Sequence, residues 1–201
     1  IDTKAHGKRP PVLKALGNSR FWLSVGTIEP RKNQKNLAEA YARYRALGGD
    51  PMPLVFAGGA GWLMEDFESH LKSLGIFDSV IFTGYVSDDE LVWLYKNCYA
   101  NLYPSWFEGF GLPILEGMQF GAPTVCSDRT SLPEVAGNAA ILLSPDDVDN
   151  WAHTMLKLSK DQQLRDRMAL LSIERSKCFN WDASAKQLLS LYEEVLARPK
   201  R

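Results

Sequence analysis

Six short apolar runs alternate with stretches of helical periodicity, and that alternation is what most restricts the fold of this chain. The runs are Phe21 to Val25, Leu54 to Ala57, Val80 to Thr83, Ala100 to Tyr103, Thr124 to Ser127 and Ala140 to Leu143, and most are followed by Gly or Pro. Between them Leu37 to Leu47, Leu63 to Leu74, Asp88 to Asn97 and Leu112 to Phe120 repeat apolar residues at helical spacing. Strands that alternate with helices predict a parallel sheet covered on both faces, a three-layer α/β domain of Rossmann type. In such a sheet ligands bind beyond the carboxyl ends of the strands, where Gly26, Gly58, Gly84 and Glu108 all fall. Three amphipathic segments follow, Asp146 to Leu158, Lys160 to Ser176 and Trp181 to Leu196.

Bulk properties restrict function more than fold. The 23 basic and 24 acidic residues nearly cancel, to a net charge of −1, which argues against a nucleic-acid binder with a broad basic face. No run approaches the ~18 apolar residues needed to cross a bilayer, and the first residues lack the layout of a secretory signal, so a cytoplasmic protein is expected. Cys98, Cys126 and Cys178 are odd in number and widely spaced, which fits neither a disulfide framework nor a zinc site. The first twenty residues carry Lys4, Lys8, Arg9, Lys14 and Arg20 against Asp2 alone, with Pro10 and Pro11 among them. That stretch, 1–20, reads as a linker or residual interdomain segment, either simply solvated or in peripheral contact with anionic lipid. Residues 21–180 read as the ligand-binding domain and 181–201 as a C-terminal helix and tail.

The chemistry concentrates in Glu108-Gly109-Phe110-Gly111-Leu112-Pro113-Ile114-Leu115-Glu116, which lies between an apolar run and a helical period. Pro113 suits a first helical turn, and Gly109 and Gly111 let backbone amides approach a ligand without an intervening Cβ. Amides at a helix start seat phosphate well. Carboxylates there accept hydrogen bonds from hydroxyls instead, so Glu108 and Glu116 predict a ligand with hydroxyls on either side of a diphosphate, a nucleotide sugar. The bland alternatives are a helix-dipole partner for Glu108 and an exposed helix carboxylate for Glu116. Phe110 reads as a core ring. A second cluster, Glu29-Pro30-Arg31-Lys32-Asn33, follows the first strand, and its adjacent cations suit a diphosphate that gains charge as it leaves.

These residues resemble the retaining glycosyltransferases of family GT4, whose signature runs E-x-F-G-x-x-x-x-E and whose GT-B fold sets two Rossmann-like domains across a cleft. Gly26-Thr27-Ile28-Glu29-Pro30-Arg31-Lys32-Asn33, Phe56-Ala57-Gly58-Gly59, Phe82-Thr83-Gly84-Tyr85-Val86, Gly121-Ala122-Pro123-Thr124-Val125 and Ser131-Leu132-Pro133-Glu134-Val135 occur in the order of that family's C-terminal, donor-binding domain. The resemblance covers roughly residues 21–197. It implies a metal-independent hexosyltransferase, mannosyl transfer included, that uses a GDP- or UDP-linked donor and no cofactor. It gives Glu116 the ribose, Glu108 the transferred sugar, and Gly109, Phe110 and Gly111 backbone amides toward sugar or phosphate. Gly26, Thr27, Arg31 and Lys32 line the diphosphate, and Tyr85 and Val86 flank the base. Glu108 and Lys32 are the catalytic pair. Many family members carry Arg where Thr27 stands, and Arg31 is the candidate replacement. A glycan or lipid-linked acceptor would be held by an N-terminal domain outside these residues. The alternatives are a nucleotide-sugar-binding module without chemistry and, more distantly, a Rossmann-type oxidoreductase.

Other patterns are weaker. Asp147-Val148-Asp149 matches a metal-holding D-x-D motif, but its place before an amphipathic helix favours capping. Gly59-Ala60-Gly61 supplies two glycines of a dinucleotide fingerprint and Met64 replaces the third. His6, His70 and His153 have no ligand or nucleophile spacing.

Overall fold

The computed structural model of the chain describes residues 6–61 and 64–198. Lys4 and Asp2 of the basic segment, Leu63 of the second helical period and the last three residues lie outside the described residues.

Six strands form one parallel sheet: β1 (Trp22–Val25), β2 (Leu54–Ala57), β3 (Val80–Gly84), β4 (Ala100–Tyr103), β5 (Thr124–Ser127) and β6 (Ala140–Leu143). Their order across the sheet is β3-β2-β1-β4-β5-β6. The chain therefore reverses its direction of travel between β1 and β4, and the crevice at that switch point is where doubly wound sheets place ligands. All residues of β2, β4 and β5 are buried. That burial on both faces explains why these strands read as unbroken apolar runs rather than alternating ones.

The helices are α1 (Gln34–Ala46), α2 (Met64–Ser73), α3 (Asp88–Asn97), α4 (Leu112–Gln119), α5 (Leu132–Ala136), α6 (Val148–Lys160), α7 (Gln162–Ser176) and α8 (Trp181–Ala197). Helix α1 starts a turn earlier than its apolar period does, because its first turn is polar. The five-residue α5 is too short to show a period. Caps are legible in the residues: Ser87 and Glu90 form a reciprocal capping box at α3, and the Asp147 side chain accepts from the Asn150 amide at 3.0 Å. Capping thus accounts for the first aspartate of the D-x-D pattern. The other, Asp149, pairs with Arg43 on α1.

Two apolar layers sandwich the sheet. One gathers Trp22, Tyr41, Tyr44, Phe56 and Trp151, and the other Leu13, Phe21, Leu23, Val55 and Leu94. Leu13, in a 3-10 turn at Pro11–Leu16, is fully buried in the second layer, and the Lys8 amide donates to the Asp89 carbonyl at 2.9 Å. The segment before β1 is therefore packed on the domain from Lys8 onward. Helix α8 contrasts with this. It has no buried residue, and Trp181, Leu189 and Leu196 are 82%, 61% and 84% exposed.

Trp151 on α6 is 1% exposed and donates from Nε1 to the Ser144 carbonyl at 3.0 Å, which fixes α6 below the end of β6. Trp151→Ala should lower unfolding stability by about 3–5 kcal/mol, read from denaturant melts, because it leaves both a cavity and an unpaired carbonyl. A loss below about 1 kcal/mol would mean that the α1–α6 layer repacks freely.

Candidate active site

The loops after β1 and β4 meet at the switch point through one carboxylate. Glu108, 9% exposed, lies with Oε1 2.7 Å from Lys32 Nζ and Oε2 3.0 Å from Arg31 Nη1. The Tyr103 hydroxyl at 3.0 Å and the Ser105 hydroxyl at 2.7 Å also approach Oε1, and Lys32 donates to Tyr103 as well. Arg31 is held further by Glu29, at 2.5 Å, and by the Phe107 carbonyl, at 2.7 Å. The two clusters singled out in the sequence thus form one network.

Local geometry explains why. Asn33 takes up the left-handed backbone at φ 58°, which Asn tolerates better than most residues. Its amide donates to the carbonyls of Pro104 at 3.2 Å and Pro145 at 2.8 Å, clamping the loop after β1 to those after β4 and β6. The Glu108 amide donates to Thr130 Oγ1 at 3.1 Å, and the Ser131 hydroxyl lies 3.0 Å from the Glu108 carbonyl and 2.9 Å from that of Phe110. Gly111, at φ 98°, caps α4, and a Cβ there would stand 2.5 Å from Leu132. A Cβ on Gly109 would meet nothing within 4 Å, so its backbone faces open space. Phe110 is not a core ring: it is 41% exposed and touches only the edge of Phe179 among aromatic neighbours, because the glycine turn lifts it off α4.

Glu116 sits on α4 outside this network, half-buried, accepting from the Tyr95 hydroxyl of α3 at 3.0 Å. Tyr85 is 89% exposed and Val86 half-buried in the turn after β3. Thr27 is exposed, and Gly26 packs against the Lys32 stem, where a Cβ would lie 3.3 Å from Cε. Of the Gly59-Ala60-Gly61 pattern, Gly61 serves packing, since a Cβ there would overlap the Ile28 carbonyl at 1.7 Å, while a Cβ on Gly59 would meet nothing within 4 Å. A cavity of about 360 Å³ lies beside the network, lined by Ile28, Glu29, Asn33, Phe67 and Trp106 but by neither Lys32 nor Glu108. Among the described residues no group of three His, Cys, Asp or Glu could hold a metal, and no helix is long and apolar enough to cross a membrane.

Tyr103, Ser105, Thr130 and Tyr95 were not foreseen as site residues. Only position could have flagged them: Tyr103 closes β4, and Ser105 and Thr130 stand where the loops after β4 and β5 begin and bend. Nothing in their residue types separates them from ordinary loop residues.

The two carboxylates of the Glu108–Glu116 stretch are held in opposite electrostatic states. Desolvation pushes the Glu108 carboxyl up, but hydrogen bonds from Lys32, Ser105 and Tyr103 and the charge of Lys32 outweigh it and leave it below the ordinary carboxylate value. Desolvation raises the Glu116 carboxyl, with Asp88 adding to it and the Tyr95 hydrogen bond opposing. Burial also pushes the Tyr103 phenol far up, helped by Glu108, so it stays a neutral donor.

The family follows from comparison with known proteins. The family model described as "Glycosyl transferases group 1" matches residues 8–171. Over 186 residues the chain is 38% identical to the O-antigen chain mannosyltransferase B of Escherichia coli, covering 91% of this chain and 49% of that protein. It is 31% identical over 183 residues to the D-inositol 3-phosphate glycosyltransferase of Stackebrandtia nassauensis, 87% of this chain and 41% of that one. The chain belongs to the group 1 glycosyltransferases, and it spans half or less of the length of these curated relatives. Two solved structures show the shared fold. Anabaena Alr3699/HepE, solved in complex with UDP and glucose, superposes at TM-score 0.82 with 20% identity, covering 96% of this chain and 55% of that chain. The C-terminal domain of the group 1 protein LpcC from Francisella tularensis gives 0.71 with 22% identity, covering 89% and 97%. The domain is one Rossmann-like half of the GT-B type.

The opposed carboxylates predict an opposed pH response. Glu108, depressed on folding, contributes stability that is present above the ordinary carboxylate value of ~4.3 and is lost as pH falls through its lower folded value. Glu116, raised on folding, behaves the other way: its contribution is full below the ordinary value and is lost as pH rises through the raised one. Side-chain carboxyl ¹³C titration should find Glu108 below and Glu116 above that value, and Lys32→Met should move Glu108 upward. Superimposable titrations of the two groups would show that the network does not form in solution.

Proposed function

We propose that this chain is the donor-binding half of a retaining, metal-independent glycosyltransferase that moves a hexose, mannose foremost, from a nucleoside diphosphate to a glycan or lipid-linked acceptor. One observation carries the reading: two cations from the loop after β1 and one carboxylate from the loop after β4 close on each other at the switch point. Lys32 has three donors, and Tyr103 and Glu108 engage two, which leaves one for a phosphate oxygen. Arg31 adds a second positive charge from the neighbouring position, in place of the Arg that Thr27 lacks.

In the proposed reaction the bond from the sugar's anomeric carbon to the diphosphate breaks and the electron pair leaves with the phosphate. The acceptor hydroxyl forms its bond to that carbon on the same face and gives its proton to the departing phosphate oxygen. Lys32 and Arg31 stabilise the charge gained by the diphosphate where a metal ion would otherwise serve. Glu108 is fixed through Oε1 by Lys32, Tyr103 and Ser105, and its Oε2, met by Arg31 alone, has a lone pair left to accept from a sugar hydroxyl and set the sugar's orientation. Glu116 accepts from the ribose hydroxyls, and Gly84, Tyr85 and Val86 border the base.

The printed names of relatives support the substrate class. The Escherichia coli relative is a mannosyltransferase, and Alr3699/HepE was solved with UDP-glucose. The exposed apolar residues of α8 support a second half, which would cover them and bring the acceptor, at the cytoplasmic side of the membrane.

Calorimetric titration of the chain with GDP, UDP and ADP, with and without chelator, should show one nucleoside diphosphate bound equally in both conditions. Binding that disappears with chelator would overturn the metal-independent reading. Glu116→Ala should raise the donor dissociation constant by at least the tenfold that corresponds to ~1.4 kcal/mol. In an enzyme that includes the acceptor half, Glu108→Gln should instead depress kcat by about a hundredfold with KM little changed. Normal turnover in that variant would return Glu108 to a purely structural role.

A further inference from the structure

The opposite edge of the sheet carries a second concentration of positive charge, which the donor site does not use. Residues 17–20 enter β1, 95–99 enter β4 and 120–123 enter β5, all at the amino ends of the strands. Two cavities open there, of about 270 Å³ and 130 Å³, and share Arg20, Lys96 and Cys98 in their walls, so they form one groove. Its cations are Arg9, Arg20, Lys96 and Arg165, and its only carboxylate is Asp166.

The cations rest on aromatic rings. Arg165 Cζ lies 3.9 Å from the Tyr99 centroid and Arg20 Cζ 5.8 Å from the same ring, while Arg9 Cζ lies 4.8 Å from Trp93 and Lys96 Nζ 5.5 Å from Phe120. Such seating holds a guanidinium in place without neutralising it. Among the described residues Arg9, Arg20 and Arg165 join no ion pair. Arg165 is 4% exposed, yet among the described residues its buried Nε has no hydrogen-bond partner and the acceptor its guanidinium meets is the Gln162 amide oxygen. Burial, joined by the like charge of Arg20, pulls its guanidinium below the usual value against the smaller pull of Tyr99 and Asp166. A buried cation with a spare donor, and a second cation crowding it, is costly unless an anion completes it.

We infer that this amino-edge groove binds a phosphate monoester or diester, with Arg165 as its buried donor and Arg20, Lys96 and Arg9 along its mouth. Arg is suited to phosphate because its planar fork matches two oxygens at once. The groove lies across the sheet from Glu108, so a ligand held there leaves the donor site open. It also gives a task to Arg9 and Arg20, two of the charges in the basic first twenty residues. The phosphate can come from a soluble ester or from a lipid headgroup, and the site's chemistry is the same for both.

The test is an amide NMR titration of the chain with sn-glycerol 3-phosphate, run beside co-sedimentation with phosphatidylcholine vesicles with and without phosphatidylglycerol. Saturable shifts are expected at Asn97, Cys98 and Gly121. Arg20→Gln, an exposed substitution, should weaken binding about tenfold, as the loss of one charge-assisted contact would, while leaving nucleoside diphosphate affinity unchanged. Arg165→Gln should weaken it further with the unfolding midpoint retained or raised, since it removes an uncompensated charge. Sedimentation that needs phosphatidylglycerol and is lost in Arg20→Gln assigns the phosphate to a lipid; soluble binding without sedimentation assigns it to a free ester. Silence of those amides toward glycerol 3-phosphate and both vesicles, or equal affinity in Arg20→Gln, overturns the proposal.

Discussion

The contact of Glu108 with Lys32 and Arg31 is the constraint around which the domain is organised. It joins loops that are separated by more than seventy residues in sequence and that become neighbours only because β1 and β4 lie side by side. Removing Glu108 or Lys32 would leave an opposite charge poorly compensated at a buried position, which costs more than an exposed pair returns. The surrounding clamps from Asn33, Thr130 and Ser131 make sense in that light. They hold the loops still so that one carboxylate can contact two cations at once.

Much of the architecture was legible in the sequence because a parallel sheet buried on both faces writes itself as apolar runs. All six strands were expected within a residue of where they lie. The helices were legible to the extent that one face is apolar over two turns or more, as in α3 and α6, and not in α5, which is stabilised by its Leu132 and Val135 contacts rather than by a period. The packing of the segment before β1 is less legible for a related reason: its buried residues among those described, Pro10 and Leu13, are surrounded by charged residues that resemble a tether. Two isolated buried residues make no period.

The site was partly legible. Glycine, proline and paired carboxylates mark the turn before α4, since each residue type answers a local demand of backbone or charge. What could not be read is which residues converge from a distance. Tyr103 and Ser105 reach Glu108 through the register of β4 and the course of its following loop, and the Tyr95–Glu116 bond depends on how α3 packs on α4. Phe110 went astray because an aromatic between glycines was weighed by its hydrophobicity, whereas the left-handed Gly111 turns the chain and carries the ring outward.

The strand order has a consequence for substitution. The turn after β3 sits at the outer rim of the sheet, two strands from β1 and three from β4, while Lys32 and Glu108 occupy the centre. Within the sheet the Gly84–Val86 turn adjoins β2 alone, Val86 packs on the layer around Leu13 and Leu94, and Tyr85 is almost wholly solvent-facing. Tyr85 can therefore be exchanged without disturbing the charged centre, whereas Val86 is tied to the core. The same sheet thus separates a position that tolerates change from a charged centre that does not.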